Sequence, residues 1–263
     1  MSQSESVVLS ATDMLVLLGH SIEEVKRGGI VVNGDSRQWA PMRLIQKMRM
    51  EGEKKYREAS RNFNLSPDDP MAYIGGGCAI VTAAVQVFEE LKVMGKPLSL
   101  LVFAAGRPFY LKDKRTPEAL NEGIVMKTFF LRKAGVKEGD LPMLILAENK
   151  NTHDDIEKPL LLAVEKKLKS IAFLMLAMRI SRARAFLDKI QQDHPETSHI
   201  EINFISAEDL LRRRYQQSPN VLEMLNRLLD IIEGSAAYQA TELDERGGLE
   251  AFKKQSYRGT GNY

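Results

Sequence analysis

Three arginines crowd the stretch MRISRARAF, at Arg179, Arg182 and Arg184. The apolar run IAFLMLAM precedes it, and the spacing that follows predicts a helix whose N-terminal end carries these residues. A helix N-terminus bears partial positive charge, so cations are unfavourable there unless an anion or an acidic side chain compensates them. Arg179 and Arg182 are three apart and share a helix face. Two chemistries satisfy the pattern equally: a phosphate or carboxylate ligand held by guanidinium forks, or an internal ion-pair network.

Four other clusters combine reactive types with strand-end positions. In AENKNTHDD, after the apolar LPMLIL, Asn151 or Thr152 can cap a helix, with Asp154 and Asp155 in its first turn. Asn149 and His153 exceed what a cap requires. In AAGRPFY, Arg107 follows Gly106 and can fork onto an anion. In ALNEG, Glu122 lies near a helix start, where the dipole favours a carboxylate. In GGGC, the glycines Gly75, Gly76 and Gly77 let backbone N–H groups approach an anion at a helix N-terminus. The GGGC stretch is neither a GxGxxG fingerprint nor a P-loop. Glu122 and Asp154 are the candidate proton-transfer groups. Gly75, Gly76, Gly77, Gly106, Arg107, Asn151, Thr152, Arg179 and Arg182 are the candidate ligand-binding residues. No metal site is expected: four histidines and one cysteine show no zinc spacing. Adjacent aspartates on a helix also point in different directions.

These clusters need elements to bring them together. Residues 1–66 read as a helical appendage. VVLSATDMLVLLGHSIEEV has helical spacing with Ser10 or Thr12 as a cap, GGIVVNGD is a break or short strand, and APMRLIQKMRMEGEKKYREASRNF is a second helix. The turn-rich LSPDDP at 65–70 marks the boundary. Strand and helix then alternate. MAYIGGG, PLSLLVFAAGRP, LPMLILAE, IAFLMLAM and HIEINFI read as strands, and the amphipathic runs between them as helices, one closed by Gly135 as a left-handed cap. NVLEMLNRLLDIIEG is a further helix, and residues 249–263 read as a polar tail. Near-continuous apolar strands between amphipathic helices predict an α/β fold. Its sheet is doubly wound, mainly parallel and Rossmann-like, with about five strands and helices on both faces. The domains are thus 1–66, 67–248 and the tail at 249–263. Ligands in such sheets sit outside the carboxyl ends of the strands.

The bulk properties exclude several classes. Of 263 residues, 44% are hydrophobic and 27% charged, as in ordinary globular proteins. The net charge of +2 does not call for nucleic acid, and the basic run LLRRRYQQ reads as a solvated helix face. The longest apolar run, residues 171–178, is far short of the ~20 residues that span a bilayer. No secretory or targeting signal is read, so a cytoplasmic location without membrane or nucleic-acid partners is expected. A homo-oligomer is left open.

The order of the motifs, a glycine-rich strand end, GRP, NEGIVMKTFFLRKAGV, NKNTHDD and RISRARAFLDK, resembles the SanA/YdcF-like family over residues 70–235. Ala105 and Gly106 stand at the family's Gly-Gly turn, and Glu122 with Gly123 at its Glu-Ala pair. Asn151, Thr152, Asp154 and Asp155 stand at its Asn-Thr and Glu-Asn pairs. Arg179-Ile-Ser-Arg182-Ala stands at its His-x-x-Arg-Ala pattern, with Arg179 in place of the histidine. The resemblance implies a Rossmann-like domain of the soluble YdcF type, a polar cleft at the strand ends and S-adenosylmethionine as the cofactor to test. The expected function is binding of a small anionic, nucleotide-like molecule, with transferase activity open. A phosphoryl or glycosyl hydrolase or transferase and a non-catalytic scaffold are the alternatives.

Overall fold

The computed structural model describes residues 12–20, 22–25, 27–32, 34–41, 76–107, 117, 119–234 and 236–254. Five parallel strands form the central sheet. They are β1 (Met14–Leu18), β4 (Leu100–Ala104), β5 (Met143–Ile145), β6 (Ser170–Met175) and β7 (Glu201–Ser206), in the order β5-β4-β1-β6-β7. A separate antiparallel hairpin pairs β2 (Ile22–Val25) with β3 (Gln38–Pro41). The helices are α1 (Gly76–Val93), α2 (Glu122–Ala134), α3 (Thr152–Glu165), α4 (Ile180–Asp193), α5 (Ala207–Arg214), α6 (Pro219–Glu233) and α7 (Ala236–Lys253).

The alternation along each strand divides the core in two. Leu15, Leu17, Leu101, Phe103, Ala172 and Leu174 face one side and pack with buried residues of α1, α2, α5 and α6. Met14, Val16, Leu18, Val102, Phe173 and Met175 face the other and pack with α3 and α4. This is the expected Rossmann-like sheet with helices on both faces. Gly135 ends α2 with φ 64°, the expected left-handed cap, its N–H donating to Leu131 O.

The N-terminal region departs from the expected helical appendage. MLVLL is β1, the middle strand of the sheet, with every side chain fully buried. A short apolar run fits a buried strand and a buried helix alike, because burial on both faces erases the period-2 signal. Of the two expected helix caps, Ser10 lies outside the described residues and Thr12 precedes a strand, not a helix. Asp13 Oδ2 accepts from Lys169 N at 2.8 Å and Ser170 N at 3.1 Å, and Asp13 N donates to Ser170 Oγ at 2.9 Å, pinning the start of β1 to the start of β6. Ile22–Val25, read as the rest of that helix, is β2. Gly76 and Gly77, expected at the end of a strand, are instead the first residues of α1. Gly75, the rest of MAYIG and the second expected N-terminal helix, apart from Ala40 and Pro41 in β3, lie outside the described residues. Residues 249–253, expected in a polar tail, continue α7, where Phe252 meets Phe186 of α4 edge to face at 4.7 Å.

Candidate functional site at the strand ends

β1 has β4 on one side and β6 on the other, and chain order runs outward from it in both directions. The topological switch therefore lies between β1 and β6, and the ligand crevice of an open α/β sheet forms outside their carboxyl ends. Gly19 follows β1 there. A Cβ on Gly19 would lie 2.4 Å from Glu122 Cδ and 2.6 Å from Ala105 Cβ, so glycine is what lets the Glu122 carboxyl group lie against the end of β1. Glu122 is itself buried. Its helix is hung on the end of β4: Glu122 N donates to Gly106 O at 3.0 Å and Gly123 N to Ala105 O at 3.2 Å. Asn121 caps it, Oδ1 accepting from Ile124 N at 2.9 Å. A Cβ on Gly106 would lie 1.9 Å from Asn149 O, so the end of β4 and the loop after β5 touch backbone to backbone. Arg107 is half-buried just beyond.

That loop carries the polar run Asn149–Asp155 into α3. Asn151 caps α3 through Oδ1, accepting from Asp154 N at 3.0 Å. Thr152 and Asp155 are buried on the sheet side of the helix, whereas His153 and Asp154 are not. Thr152 Oγ1 accepts from Arg179 Nη2 at 2.8 Å and from Arg182 Nη2 at 2.7 Å. Arg179 also donates to Gly19 O through Nη1, so it spans the switch point from the β6 side to the end of β1. The short turn holding Arg179, Ala177–Arg179, is tied down by Glu208, whose Oε2 accepts from Ala177 N at 3.0 Å and from Ser206 Oγ at 3.1 Å. Burial raises the Glu208 pKa.

A carboxylate meets the two arginines. Glu245, from α7, lies 2.8 Å from Arg182 Nε through Oε2 and accepts from Arg182 Nη2 at 3.0 Å through Oε1. Its Oε1 is 3.7 Å from Arg179 Nε. Asp155, the nearby carboxyl on α3, accepts from Asn149 Nδ2 at 2.9 Å. Burial pushes its pKa up to about 7, against the lowering influence of Arg179 and of the Asn149 hydrogen bond. Asn149 is only 6% exposed, and its Oδ1 has no hydrogen-bond partner among the described residues.

The structure thus brings Gly106, Glu122, Asn151, Thr152, Arg179 and Arg182 to one rim. It turns the side chains of Asp154 and Arg184 away from it. Asp154 points outward, its Oδ2 accepting from Lys150 N at 3.1 Å and lying 3.5 Å from Lys158 Nζ. Its neighbour Asp155 faces the arginines instead, as the 100° step of a helix requires. Gly76 and Gly77 start α1, which leads back to the beginning of β4 and so begins on the strand-end side of the sheet; both are buried, and Cys78 donates to Pro41 O at 2.9 Å. Arg184 turns away to lie over the Phe204 ring at 6.0 Å. Gly19, Asn149, Asp155 and Glu245 were not among the candidates. Asp155 is legible as the residue three after Thr152, on the same helix face. Glu245 has no local signal, because it is 63 positions from Arg182 in sequence.

No protein-family model matches the chain, and no curated protein sequence matches it. The crystal structure of GanP, a glucose-galactose binding protein from Geobacillus stearothermophilus, aligns at 9% identity over 85% of this chain and 92% of that one, with a TM-score of 0.21. A likeness that slight carries no argument about ligand or reaction. Among the described residues, no helix is long and apolar enough to cross a membrane.

Proposed function

We propose that the chain binds a small anionic, nucleotide-like ligand in the crevice outside β1 and β6. The observation that supports this most directly is Glu245: a carboxylate already pairs with Arg182, its Oε1 accepting from Nη2 at 3.0 Å and its Oε2 lying 2.8 Å from Nε as an ion pair. A guanidinium that pairs with one carboxylate here can pair with the carboxylate or phosphate of a ligand in its place. Asn149 Oδ1 offers a buried acceptor beside it. Asp155, with a pKa near 7, exchanges a proton in the neutral range, as a general acid or base must. Glu122 is the second carboxyl group at the rim. S-adenosylmethionine, which carries a carboxylate and a nucleoside, belongs to the ligand class, and a transferase is the matching activity. Phosphoryl or glycosyl hydrolysis is the alternative chemistry for the same residues.

A second reading is favoured by the same contact. Arg179 and Arg182 are hydrogen-bonded to Gly19 O, Thr152 and Glu245 within the chain, so the cluster also suits a non-catalytic scaffold whose ion pairs hold α7 in place. Thermal melting separates the two. S-adenosylmethionine, nucleotides and nucleotide sugars, with and without Mg²⁺, are added to the wild type, Glu245→Gln and Arg182→Ala. A ligand at ~100 times its dissociation constant adds about 2.7 kcal/mol, a rise of about 5–10 °C for a chain of this size. Under the ligand reading Glu245→Gln shows the larger rise and Arg182→Ala none. Loss of stability in both variants, with no compound raising the melting temperature of any of the three proteins, selects the scaffold.

A further inference from the structure

The outward face of α3 carries a second constellation that the crevice does not use. His153, Asp154 and Glu157 each offer a donor atom, and these atoms all lie within 4.8 Å of one another. His194, at the end of α4, approaches this group at Glu157: its Nε2 is 3.3 Å from Glu157 Oε1, while His153 Nδ1 is 3.7 Å from the other oxygen, Oε2. These separations are longer than charge-assisted hydrogen bonds, which run at about 2.7–2.9 Å. The 3.3 Å separation matches the edge of a tetrahedron whose metal–ligand bonds are about 2.0–2.1 Å, an edge of about 3.3–3.4 Å, and the 3.7 Å separation is a few tenths of an ångström wider.

The surroundings of the two imidazoles point the same way. His194 Nδ1 is 3.2 Å from Glu196 Oε1, so a carboxylate orients the ring through one nitrogen while the other faces the cluster. That is the carboxylate–histidine pairing that stands behind metal-bound histidines. The His153 ring lies edge to face on Phe186 at 5.7 Å, which limits its rotation. Lys150 N–H and Lys158 engage Asp154 through Oδ2, which leaves Oδ1 for another partner.

We propose that His153, Asp154 and Glu157 form a site for a divalent transition-metal ion of the zinc, cobalt or nickel type, with His194 turning in beside Glu157 as the fourth donor when the ion binds. Two imidazoles among the donors select this class over magnesium or calcium, which take oxygen ligands. The site is separate from the crevice, since Thr152 and Asp155 face inward from the same turn of α3.

Calorimetric titration of Zn²⁺ into the metal-stripped full chain, at pH about 7.5 and so above the usual imidazole pKa of ~6.5, tests this. Co²⁺ absorption provides a second readout of coordination. One equivalent is expected to bind with a visible tetrahedral Co²⁺ band. His153→Ala and His194→Ala should each weaken binding by at least ~10-fold, and Glu196→Gln by about 10-fold or more. Cys78→Ser should change nothing. Melting curves of the metal-free variants establish that each is folded, and Glu157→Gln provides a ligand variant of nearly unchanged shape. Absence of saturable binding to the wild type overturns the proposal. Binding unchanged in the His153→Ala/His194→Ala double variant, or lost in Cys78→Ser alone, overturns it as well.

Discussion

Asp155 makes the stability of this chain depend on pH in the direction opposite to most carboxylates. Its pKa rises from an ordinary 3.8 to about 7, because burial outweighs the attraction of Arg179 and the hydrogen bond from Asn149. The native state therefore holds this proton more tightly than the unfolded state does. Its contribution is complete below about pH 4 and falls as pH rises towards about 7. Each pH unit in that window is worth about 1.4 kcal/mol, so the group costs up to about 4 kcal/mol of stability by neutral pH. Asp155→Asn keeps the shape and the acceptor for Asn149 but cannot ionise. The perturbation to follow is the difference in unfolding free energy between variant and wild type, from urea titrations at intervals between pH 4 and 8. Subtracting one protein from the other cancels every other titrating group. The variant should gain on the wild type steadily from about pH 4 to about pH 7, then level off. A difference that stays flat across this range would mean that Asp155 ionises like an exposed aspartate, and its assignment as the proton-exchanging group of the crevice would fall with it.

Other outcomes follow from the packing at the rim. Gly106→Ala places a methyl group 1.9 Å from Asn149 O, against backbone that cannot rotate away. It should destabilise the chain by about 3 kcal/mol, seen as a lower urea midpoint with an unchanged slope. Asn151→Ala removes the cap of α3 and should cost about 1 kcal/mol in the same assay. Asn151→Asp, which keeps the acceptor, should cost little.

The sheet was legible where its strands keep intervening helices of strong amphipathic pattern. β4 and β5 fall within the runs that read as strands, β6 and β7 each overrun theirs by one residue, and the Asn151 and Gly135 caps fall where their residue types demand them. β1 was not legible. MLVLL sits in a stretch whose spacing also fits a helix, and what decides the matter is its position between β4 and β6, which no local pattern encodes. At the site, residue types identified the right turns, and side-chain direction was the harder part. Asp154 and Asp155 both suit the first turn of α3 by type, and it is the face shared with Thr152 that tells them apart. Glu245 and the His153–His194 grouping come from tertiary approach alone. Each joins residues on different helices whose separation in sequence carries no trace of contact.

The hydroxyl of Thr152 carries a consequence for any chemistry in this crevice. A hydroxyl oxygen has two lone pairs and one proton. Arg179 and Arg182 both donate to this oxygen, which commits both lone pairs. Its proton is left with the one remaining direction, so a freely turning rotor becomes a fixed donor, sharpened by two adjacent positive charges. Thr152 in this state can neither attack an electrophile nor accept a proton from anything that enters. It can only give a hydrogen bond, and whatever meets it must present an acceptor.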